Sequence, residues 1–269
     1  MKIDFISDIH ENHYLGRTII SDLDDFIEYI WGPSHKDGKI LFLLGDIGEQ
    51  VDRIVSVLKK IKEKRNYEKI FYVPGNHDLY WEGEFDTFEK KYEAIKIAIE
   101  PLEDIFCLDG EIHEVDGLKI SGATLWYDIS YLKDKKQLSE EEAKKEFMNL
   151  WNFYMLDSRR TNSDPLKFFN EQVKRIENVY DKVDIFLSHI NPINLDAYFD
   201  KRYRNEDSNT FFSFNGKPFI RNGSIKYWFY GHTHNRFRGE FVKTKLFCNP
   251  LGYPNENPYR EGFVEQVEV

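Results

Sequence analysis

The chain has 269 residues and a formal net charge of −10 at pH 7, from 37 Lys and Arg against 47 Asp and Glu. A hydrophobic content of 41% and an aromatic content of 16% indicate a globular protein and exclude a largely disordered one. The negative charge disfavours long nucleic acids and anionic membranes as partners, so a phosphate-handling site needs its own local positive charge, which bound metal ions can supply.

The sequence does not predict secretion or membrane anchoring. The first residues carry charges at Lys2 and Asp4 and no long apolar run, which is unlike a signal peptide. No window approaches the ~20 apolar residues that span a bilayer. The two cysteines, Cys107 and Cys248, lie in apolar runs typical of strands and are expected to be reduced core thiols. We therefore expect a cytoplasmic protein.

Strands and helices alternate in the first part of the chain. Continuous apolar runs predict buried strands at Lys2–Ser7, Lys39–Leu44 and Lys69–Val73. Apolar residues at helical spacing predict helices at Leu15–Ile30, Val51–Lys64 and Phe85–Ile99. This alternation predicts a mostly parallel sheet with right-handed crossovers.

The second part of the chain is predicted to hold more strands, interrupted by helices. Short strands are expected at Ile105–Leu108, Ile112–Val115, Leu118–Ser121, Val183–Leu187 and Ile225–Tyr230, then an antiparallel pair at Phe237–Val242 and Lys245–Cys248, and an edge strand at Gly262–Val269. A capping box opens a helix at Ser139–Leu150, and Pro165 opens another that runs to about Tyr180. Residues 128–181 therefore read as a helical insertion in a single domain of residues 1–269, and 200–224 as a surface loop.

Polar side chains follow the predicted strands at their carboxyl ends. They are Asp8 and His10, then Asp46, then Asn76, His77 and Asp78, then His189, and finally His232 and His234. Five of the eight histidines lie at such positions. Burying these groups without partners costs roughly 1–3 kcal/mol each, so metal ligation is the simplest explanation. Mixed imidazole and carboxylate ligands suit first-row divalent ions such as Mn, Fe, Zn or Co.

These motifs resemble those of the calcineurin-like metallophosphoesterases. The matching elements are Asp8-x-His10, Gly45-Asp46, Gly75-Asn76-His77-Asp78, His189 and Gly231-His232-x-His234, in the family's order. The resemblance implies an α/β fold: a four-layer α/β/β/α sandwich of two mixed central sheets flanked by helices, here with a helical cap insertion.

The resemblance also implies two divalent metal ions, with Mn²⁺ favoured and Fe, Zn, Co or Ni as alternatives. The first ion would bind Asp8, His10, Asp46 and His234. The second would bind Asp46, Asn76, His189 and His232, so that Asp46 bridges the pair. In the implied mechanism a metal-bridging hydroxide attacks phosphorus, His77 is the general acid, and Glu49 orients His77.

Two segments, 122–126 and 248–253, are similar to a poorly assigned bacterial and phage branch of the family, in which the insertion forms a cap. That similarity makes Trp126, Tyr127, Arg159 and Arg160 candidates for lining the substrate pocket, and His13 a candidate phosphate contact. The alternatives are core packing for the aromatic pair, a solvated helix end for the arginines, and an ordinary loop position for His13. His35 and His113 are expected on the surface.

The predicted function is hydrolysis of a phosphate mono- or diester in a small phosphorylated substrate or nucleotide. Glu49, which stands where the Ser/Thr phosphatases carry Asp, and Asp78, which stands where they carry Glu, argue against a protein phosphatase. Two alternatives remain open. One is a nuclease acting on DNA or RNA ends, and the other is a catalytically inactive binding scaffold of the same fold. The oligomeric state is not predicted.

Overall fold

The computed structural model describes residues 1–15, 20–256 and 262–269. In these ranges the strands, in chain order, are β1 Lys2–Ile6, β2 Ile40–Leu43, β3 Lys69–Tyr72, β4 Ile105–Cys107, β5 His113–Val115, β6 Leu118–Gly122, β7 Ile185–Leu187, β8 Tyr227–Tyr230, β9 Phe237–Phe241, β10 Thr244–Cys248 and β11 Glu265–Glu268. The helices are α1 Glu11–Tyr14, α2 Leu23–Trp31, α3 Val51–Lys64, α4 Phe88–Ile99, α5 Ser130–Lys136, α6 Glu140–Tyr154, α7 Pro165–Glu177 and α8 Lys217–Asn222.

The strands form two mixed sheets. The five-stranded sheet has the order β11-β1-β2-β3-β4, with β1 to β4 parallel and β11 antiparallel to β1. The six-stranded sheet has the order β5-β6-β7-β8-β10-β9, with β6, β7, β8 and β10 parallel and an antiparallel strand at each edge. Each sheet therefore presents a row of parallel strands whose carboxyl ends share one edge.

The core between the sheets is apolar and rich in phenylalanine. Alternate residues of each strand point into it, as the pleat requires, and Phe229 of β8 lies 5.2 Å from Phe5 and 5.0 Å from Phe42 between ring centroids. The opposite face of the first sheet packs against α2, α3 and α4, and that of the second against α7 and α8. The result is the predicted four-layer sandwich of two mixed sheets flanked by helices.

The helical insertion lies between β6 and β7. It comprises α5, α6, a 3₁₀ turn at Leu156–Arg159 and α7. Ser139 and Glu142 form the capping box at the start of α6, and Pro165 occupies the first turn of α7 behind the cap of Asp164, as predicted. None of the helices in the described ranges combines the length and the apolar composition that crossing a membrane requires.

Two predicted elements differ from the structure. The predicted helix Leu15–Ile30 is found only in its second half, because the side chain of Asp22 accepts a hydrogen bond from Asp25 N and starts α2 there. Residues 16–19 of that prediction lie outside the described residues. The predicted surface loop 200–224 instead contains 3₁₀ turns and α8, and it buries Phe211, Phe214 and Ile220 completely.

The two histidines predicted to be surface residues are both partly buried. His35 Nε2 lies 2.7 Å from Asp4 Oδ2. His113 packs its ring against Phe71 and Phe106, with centroid distances of 5.4 and 4.6 Å. The residues next to them in the chain did not indicate these tertiary partners.

Candidate metal centre

The loops that follow five parallel strands converge on one point. Asp8 and His10 follow β1, Asp46 follows β2, and Asn76 and His77 follow β3. From the second sheet, His189 follows β7, and His232 and His234 follow β8. The carboxyl ends of parallel strands are where α/β proteins place ligand sites, and here the two sheets contribute from both sides.

Five of these side chains stand on left-handed backbone. The φ angles are 52° at Asp8, 46° at His10, 56° at Asp46, 67° at His232 and 47° at His234. Such conformations cost roughly 1–3 kcal/mol each in non-glycine residues and persist where the surroundings hold them. Their concentration at one place marks this edge of the sheets as the functional site.

Two glycines allow the loops to approach closely. A Cβ on Gly45, whose φ is 86°, would lie 2.3 Å from His189 Nδ1. A Cβ on Gly75 would lie 2.2 Å from Asp46 Oδ1. Glycine at both positions is therefore required for His189 and Asp46 to lie where they do.

Asp8, His10 and His234 form one group of donor atoms, all within 4.8 Å of one another. His234 Nε2 lies 3.1 Å from His10 Nε2 and 3.5 Å from Asp8 Oδ1. Asp46 Oδ2 lies 3.9 Å from His10 Nε2. These are the four residues that the family resemblance assigns to the first cation.

Asp46, His189 and His232 form a second group within the same distance. His189 Nε2 lies 3.4 Å from Asp46 Oδ2 and 3.0 Å from Asn76 Oδ1. Asp46 Oδ2 thus faces a histidine of each group, which is the position that a bridging carboxylate needs.

Hydrogen bonds at the outer ring nitrogens orient three of the histidines. His189 Nδ1 donates to Leu44 O at 2.6 Å, His232 Nε2 donates to Phe211 O at 2.9 Å, and His234 Nδ1 donates to Glu256 Oε2 at 2.8 Å. Each ring therefore turns its other nitrogen toward the centre. This outer support is typical of metal-ligating histidine.

The charges of the site fit divalent cations. Burial lowers the pKa of His10 well below its usual value, and burial with nearby His189 lowers the pKa of His232 to about 4, so both rings are neutral donors. Burial would also lower the pKa of His189 and His234, but Asp46 raises the first to about 9 and Asp8 with Glu256 raises the second to about 10. The buried carboxylates thus attract positive charge, and a cation would take the place of those protons.

Asp78 holds the ligand loops together through their backbone. Its Oδ2 accepts from Asp46 N at 2.7 Å and from Gly75 N at 2.8 Å, and its Oδ1 accepts from Ile47 N and Gly48 N at 2.8 and 3.0 Å. Burial and nearby Asp46 raise the pKa of Asp78 to about 6, against the effect of the backbone donors. Asp78 was identified in the sequence as part of the motif, but the hydrogen bonds by which Asp78 holds the backbone of the ligand loops were not predicted.

His77 has a partly exposed ring, and it forms a third group of donor atoms with His10 and Asp46, again within 4.8 Å of one another. Its Nε2 lies 3.4 Å from Tyr253 Oη, and its Nδ1 lies 3.7 Å from Glu49 Oε1, which is an ion-pair distance and longer than a hydrogen bond. Burial opposes protonation of His77, but Asp46 and then Glu49 outweigh it and raise its pKa. His77 and Glu49 are therefore neighbours, and the orienting role of Glu49 stays a prediction.

A cleft of about 320 Å³ opens above the centre. Its floor consists of Asp46, Asn76, His77, His232 and His234. Its walls consist of Tyr80, Met155, Leu156, Asp157, Tyr203, Phe212, Thr233, Tyr253 and Glu256. The insertion, the 200–224 segment and the loop after β10 therefore all contribute to the walls.

The prediction that Trp126 and Tyr127 line the pocket is wrong. Both side chains are completely buried. Trp126 packs against Phe88 and Phe168, with centroid distances of 4.6 and 5.1 Å. Their proximity to the site in sequence reflects core packing between the sheet and the insertion, which was the alternative interpretation.

The three remaining substrate candidates lie at the edge of the site. Arg160 is exposed, with its guanidinium 5.6 Å above the ring of Tyr80, and it contributes to lowering the pKa of Glu49. Arg159 is also exposed. His13 is partly buried, with its ring 4.9 Å from that of Tyr253. None of the three is among the described residues of the cleft wall.

Most residues of the cleft wall were not predicted from the sequence. Tyr253 stacks on His10 at 4.5 Å between centroids, and Phe212 lies 5.1 Å from the ring of His232. Tyr253 lies in the turn-rich segment that resembles the family branch, which was a signal for it. Phe212, Tyr203 and Asp157 carried no such signal, because they belong to segments without a motif.

An α/β sandwich that brings His and Asp side chains together at its strand ends can hold divalent cations there. The family model for calcineurin-like phosphoesterase matches residues 1–236, and the chain belongs to this family. A relative from Acanthamoeba polyphaga mimivirus, the uncharacterized protein L509, is 29% identical over 98% of this chain and 97% of its own length.

Solved structures show the same fold. Phosphopantetheinyl hydrolase from Mycobacterium tuberculosis has a TM-score of 0.73 at 17% identity, covering 99% of this chain and 95% of that one. A dimetal phosphatase from Danio rerio has a TM-score of 0.51 at 12% identity, covering 100% of this chain and 92% of that one. At these identities the likeness concerns the fold alone.

Proposed function

We propose that this chain is a metal-dependent phosphoesterase that hydrolyses a small organic phosphate mono- or diester, with His77 as the proton donor to the leaving oxygen. The observation that carries the proposal is the convergence of two donor groups on Asp46 at the floor of one cleft, with His77 beside them. Residues 1–269 act as one catalytic unit, and the insertion contributes to the cleft wall.

Asp8, His10, Asp46 and His234 would hold one divalent cation, and Asp46, Asn76, His189 and His232 the other. When bound, such a pair supplies Lewis-acid polarisation of a phosphate and an activated water. The nitrogen and oxygen donors suit Mn²⁺ and other first-row ions. The hydrogen bonds to Leu44, Phe211 and Glu256 fix the ligand rings in advance of binding.

His77 is suited to protonate a leaving oxygen. Asp46 and Glu49 raise its pKa against the effect of burial, which favours the protonated ring that a general acid requires. Its Nε2 faces the cleft beside Tyr253, and Glu49 lies at the opposite nitrogen. Glu49 thus stabilises the protonated ring and keeps Nε2 directed toward the substrate.

The cleft favours a small substrate with an apolar or aromatic part. Tyr80, Tyr203, Phe212 and Tyr253 offer ring surfaces, and Met155 and Leu156 add an aliphatic wall. The described wall residues include no Lys or Arg, which disfavours a long nucleic acid backbone. The candidate substrates are therefore nucleotides and small phosphorylated metabolites. A phosphopantetheinyl ester is a further candidate, because the phosphopantetheinyl hydrolase described above has the same fold.

The first experiment tests turnover by the full chain loaded with Mn²⁺. We expect hydrolysis of p-nitrophenyl phosphate, bis(p-nitrophenyl) phosphate or both, and loss of that activity with Asp46→Ala. Their ratio separates monoesterase from diesterase specificity. Absence of activity on both, in protein shown to contain about two ions per chain, would contradict the proposal. A salt-sensitive affinity for oligonucleotides would favour the nuclease alternative.

A second experiment tests the proton donor. His77→Gln should lower kcat on an alkyl phosphate by about 10²–10⁴-fold, because an alkoxide leaves slowly without a proton. The loss should be much smaller on p-nitrophenyl phosphate, whose leaving group needs no proton. Glu49→Gln is a companion variant. It should also lower kcat more on the alkyl phosphate than on p-nitrophenyl phosphate, but by a smaller factor than His77→Gln. Equal losses on both substrates would contradict the role of His77.

A further inference from the structure

Asp157 is a buried carboxylate that the insertion places next to the metal centre. It lies in the 3₁₀ turn after α6, 81 residues from Asn76, and its exposed fraction is 1%. It is not one of the predicted ligands, and its oxygens face side chains of the protein. Its position therefore calls for an explanation other than direct ligation.

Three side chains donate hydrogen bonds to Asp157. Asn76 Nδ2 and Tyr80 Oη donate to Oδ1 at 2.9 and 2.7 Å, and Tyr127 Oη donates to Oδ2 at 2.7 Å. Trp151 Nε1 of α6 in turn donates to Tyr127 Oη at 2.9 Å. A continuous chain of hydrogen bonds thus runs from α6 of the insertion to Asn76.

The contact with Asp157 determines which way the Asn76 amide faces. A carboxylate only accepts hydrogen bonds, so the amide nitrogen of Asn76 must face Asp157. The amide oxygen then faces the centre, where Oδ1 lies 3.0 Å from His189 Nε2. Only the oxygen of this amide can ligate a cation, because its nitrogen has no free lone pair in the amide plane.

We propose that Asp157 is a positioning residue that fixes the Asn76 amide with its oxygen toward the second cation, and so couples the insertion to the metal centre. This inference rests on the proposed function, since it concerns the cation that Asn76, His189, His232 and Asp46 would hold. Partners of this kind, one step away from the ion, contribute to metal affinity although they do not touch the metal.

Asp157→Asn changes the acceptor without changing the shape. In the variant one amide oxygen replaces two carboxylate oxygens, while Asn76, Tyr80 and Tyr127 all donate toward residue 157. If the oxygen turns toward Tyr127, the NH₂ group of residue 157 faces that of Asn76 and the Asn76 amide flips. If the oxygen stays with Asn76 and Tyr80, a neutral amide replaces the charged acceptor and holds the Asn76 amide less strongly. We expect the affinity for the more weakly bound Mn²⁺ to fall about 10–100-fold.

An exchange of the two residues provides the decisive test. Asn76→Asp alone places two carboxylates against each other and should also weaken the second Mn²⁺ site. In the double variant N76D/D157N, the amide of residue 157 donates to one carboxylate oxygen of residue 76, and the other oxygen faces the cation. Mn²⁺ affinity should therefore recover at least tenfold relative to D157N. Because this variant retains the hydrogen bond, it remains informative even where D157N alone folds poorly.

The measurement is calorimetric titration of the metal-free full chain with Mn²⁺, accompanied by the urea midpoint of each metal-free variant. Asp128→Asn is the matched control, because Asp128 is a buried carboxylate that accepts from Ser130 N and Asn215 N and contacts no ligand. It should leave both Mn²⁺ affinities unchanged. If Asp157 had only a structural role, the factors by which Asn76→Asp and D157N each lower Mn²⁺ affinity would multiply in the double variant. That result would overturn the proposal.

Failure of this inference is distinguishable from failure of the proposed function. If the unmodified chain binds two Mn²⁺ and D157N binds both with unchanged affinity, only the role of Asp157 is contradicted. If the unmodified chain binds no Mn²⁺ at all, the proposed function itself is contradicted.

Discussion

Asp78 and Asp157 are both buried carboxylates beside the metal centre, and neither is in the predicted ligand set, yet they act on different parts of it. Asp78 accepts four backbone N–H groups from the loops after β2 and β3. Asp157 accepts three side-chain donors, one of them Asn76. Asp78 thus stabilises the backbone conformation of the ligand loops, and Asp157 fixes the orientation of the Asn76 amide.

This difference separates what the motif contains from what the insertion adds. Asp78 lies two residues from Asn76 and belongs to the same turn, so its role is inherent in the motif. Asp157 reaches the centre only because α6 and the turn after it fold over the cleft. Removing Asp78 should therefore disturb the whole centre, and removing Asp157 should disturb a single ligand.

The largest effect is expected for Asp78→Ala. Four backbone N–H groups lose their acceptor, and each buried unpaired group costs about 1–3 kcal/mol, so we expect unfolding stability to fall by at least about 4 kcal/mol. Both Mn²⁺ sites should weaken together, because Asp46 N is one of the released groups. Urea unfolding and calorimetric Mn²⁺ titration measure the two effects.

Asp128→Ala is the control for that comparison. Asp128 is a buried carboxylate of the insertion that accepts from Ser130 N and Asn215 N, and it contacts no ligand. Its removal should lower stability and preserve Mn²⁺ binding. Wild-type Mn²⁺ affinity in Asp78→Ala would show that the loops hold their shape without Asp78.

The sequence was sufficient for the centre because its signals are local. A strand of three to five mostly apolar residues, followed within four residues by Asp, His or Asn, indicates both where the strand ends and which side chains lie at its end. Parallel strands then bring these ends together, whatever lies between them. For this reason the ligand loops and the two-sheet architecture followed from pattern and resemblance.

The cleft wall was not predictable in the same way, because burial there is decided by tertiary contacts. Trp126 and Tyr127 follow a motif-like segment but pack inward, while Phe212 lies in a polar stretch and faces the cleft. Phe211 supplies the carbonyl that orients His232, a function that no side-chain pattern encodes. The contact between Asn76 and Asp157 likewise depends on how α6 crosses the sheet.

A smaller effect is expected for Tyr127→Phe, which tests whether Asp157 orients Asn76 without the hydrogen bond from Tyr127. The change removes a donor from Asp157 Oδ2 and an acceptor from Trp151, but leaves the bond to Asn76 in place. Stability should fall by about 1–2 kcal/mol. Mn²⁺ affinity should fall less than in D157N.

Tyr131→Phe is the matched control, since the hydroxyl of Tyr131, in α5 of the insertion, donates to Asp196 Oδ1 at 2.7 Å and not to Asp157. It should lower stability without any change in Mn²⁺ binding. If Tyr127→Phe weakened Mn²⁺ binding as strongly as D157N, orientation of Asn76 would depend on both oxygens of Asp157, and the simple two-part division would fail.

The smallest effect concerns pH and a third buried carboxylate, Asp4, which lies outside the centre. Burial raises its pKa, but hydrogen bonds from His35 and Tyr67 outweigh burial and bring the pKa below the usual 3.8. A depressed pKa adds stability above pH 3.8, and that contribution is lost as pH falls through the folded value. The stability difference between wild type and Asp4→Asn should therefore narrow as pH falls below about 4.

For Asp128→Asn the stability difference from wild type should change with pH in the opposite direction. Burial raises the pKa of Asp128 above 3.8 despite the bonds from Ser130 and Asn215, so its ionised form costs stability. The stability difference between wild type and Asp128→Asn should therefore grow as pH falls toward 3.8. The stability difference between wild type and Asp4→Asn begins to shrink in the same pH range. Urea unfolding of the three proteins across this range measures both trends. Parallel trends would mean that burial, and not the hydrogen-bond donors, determines how these carboxylates contribute to stability.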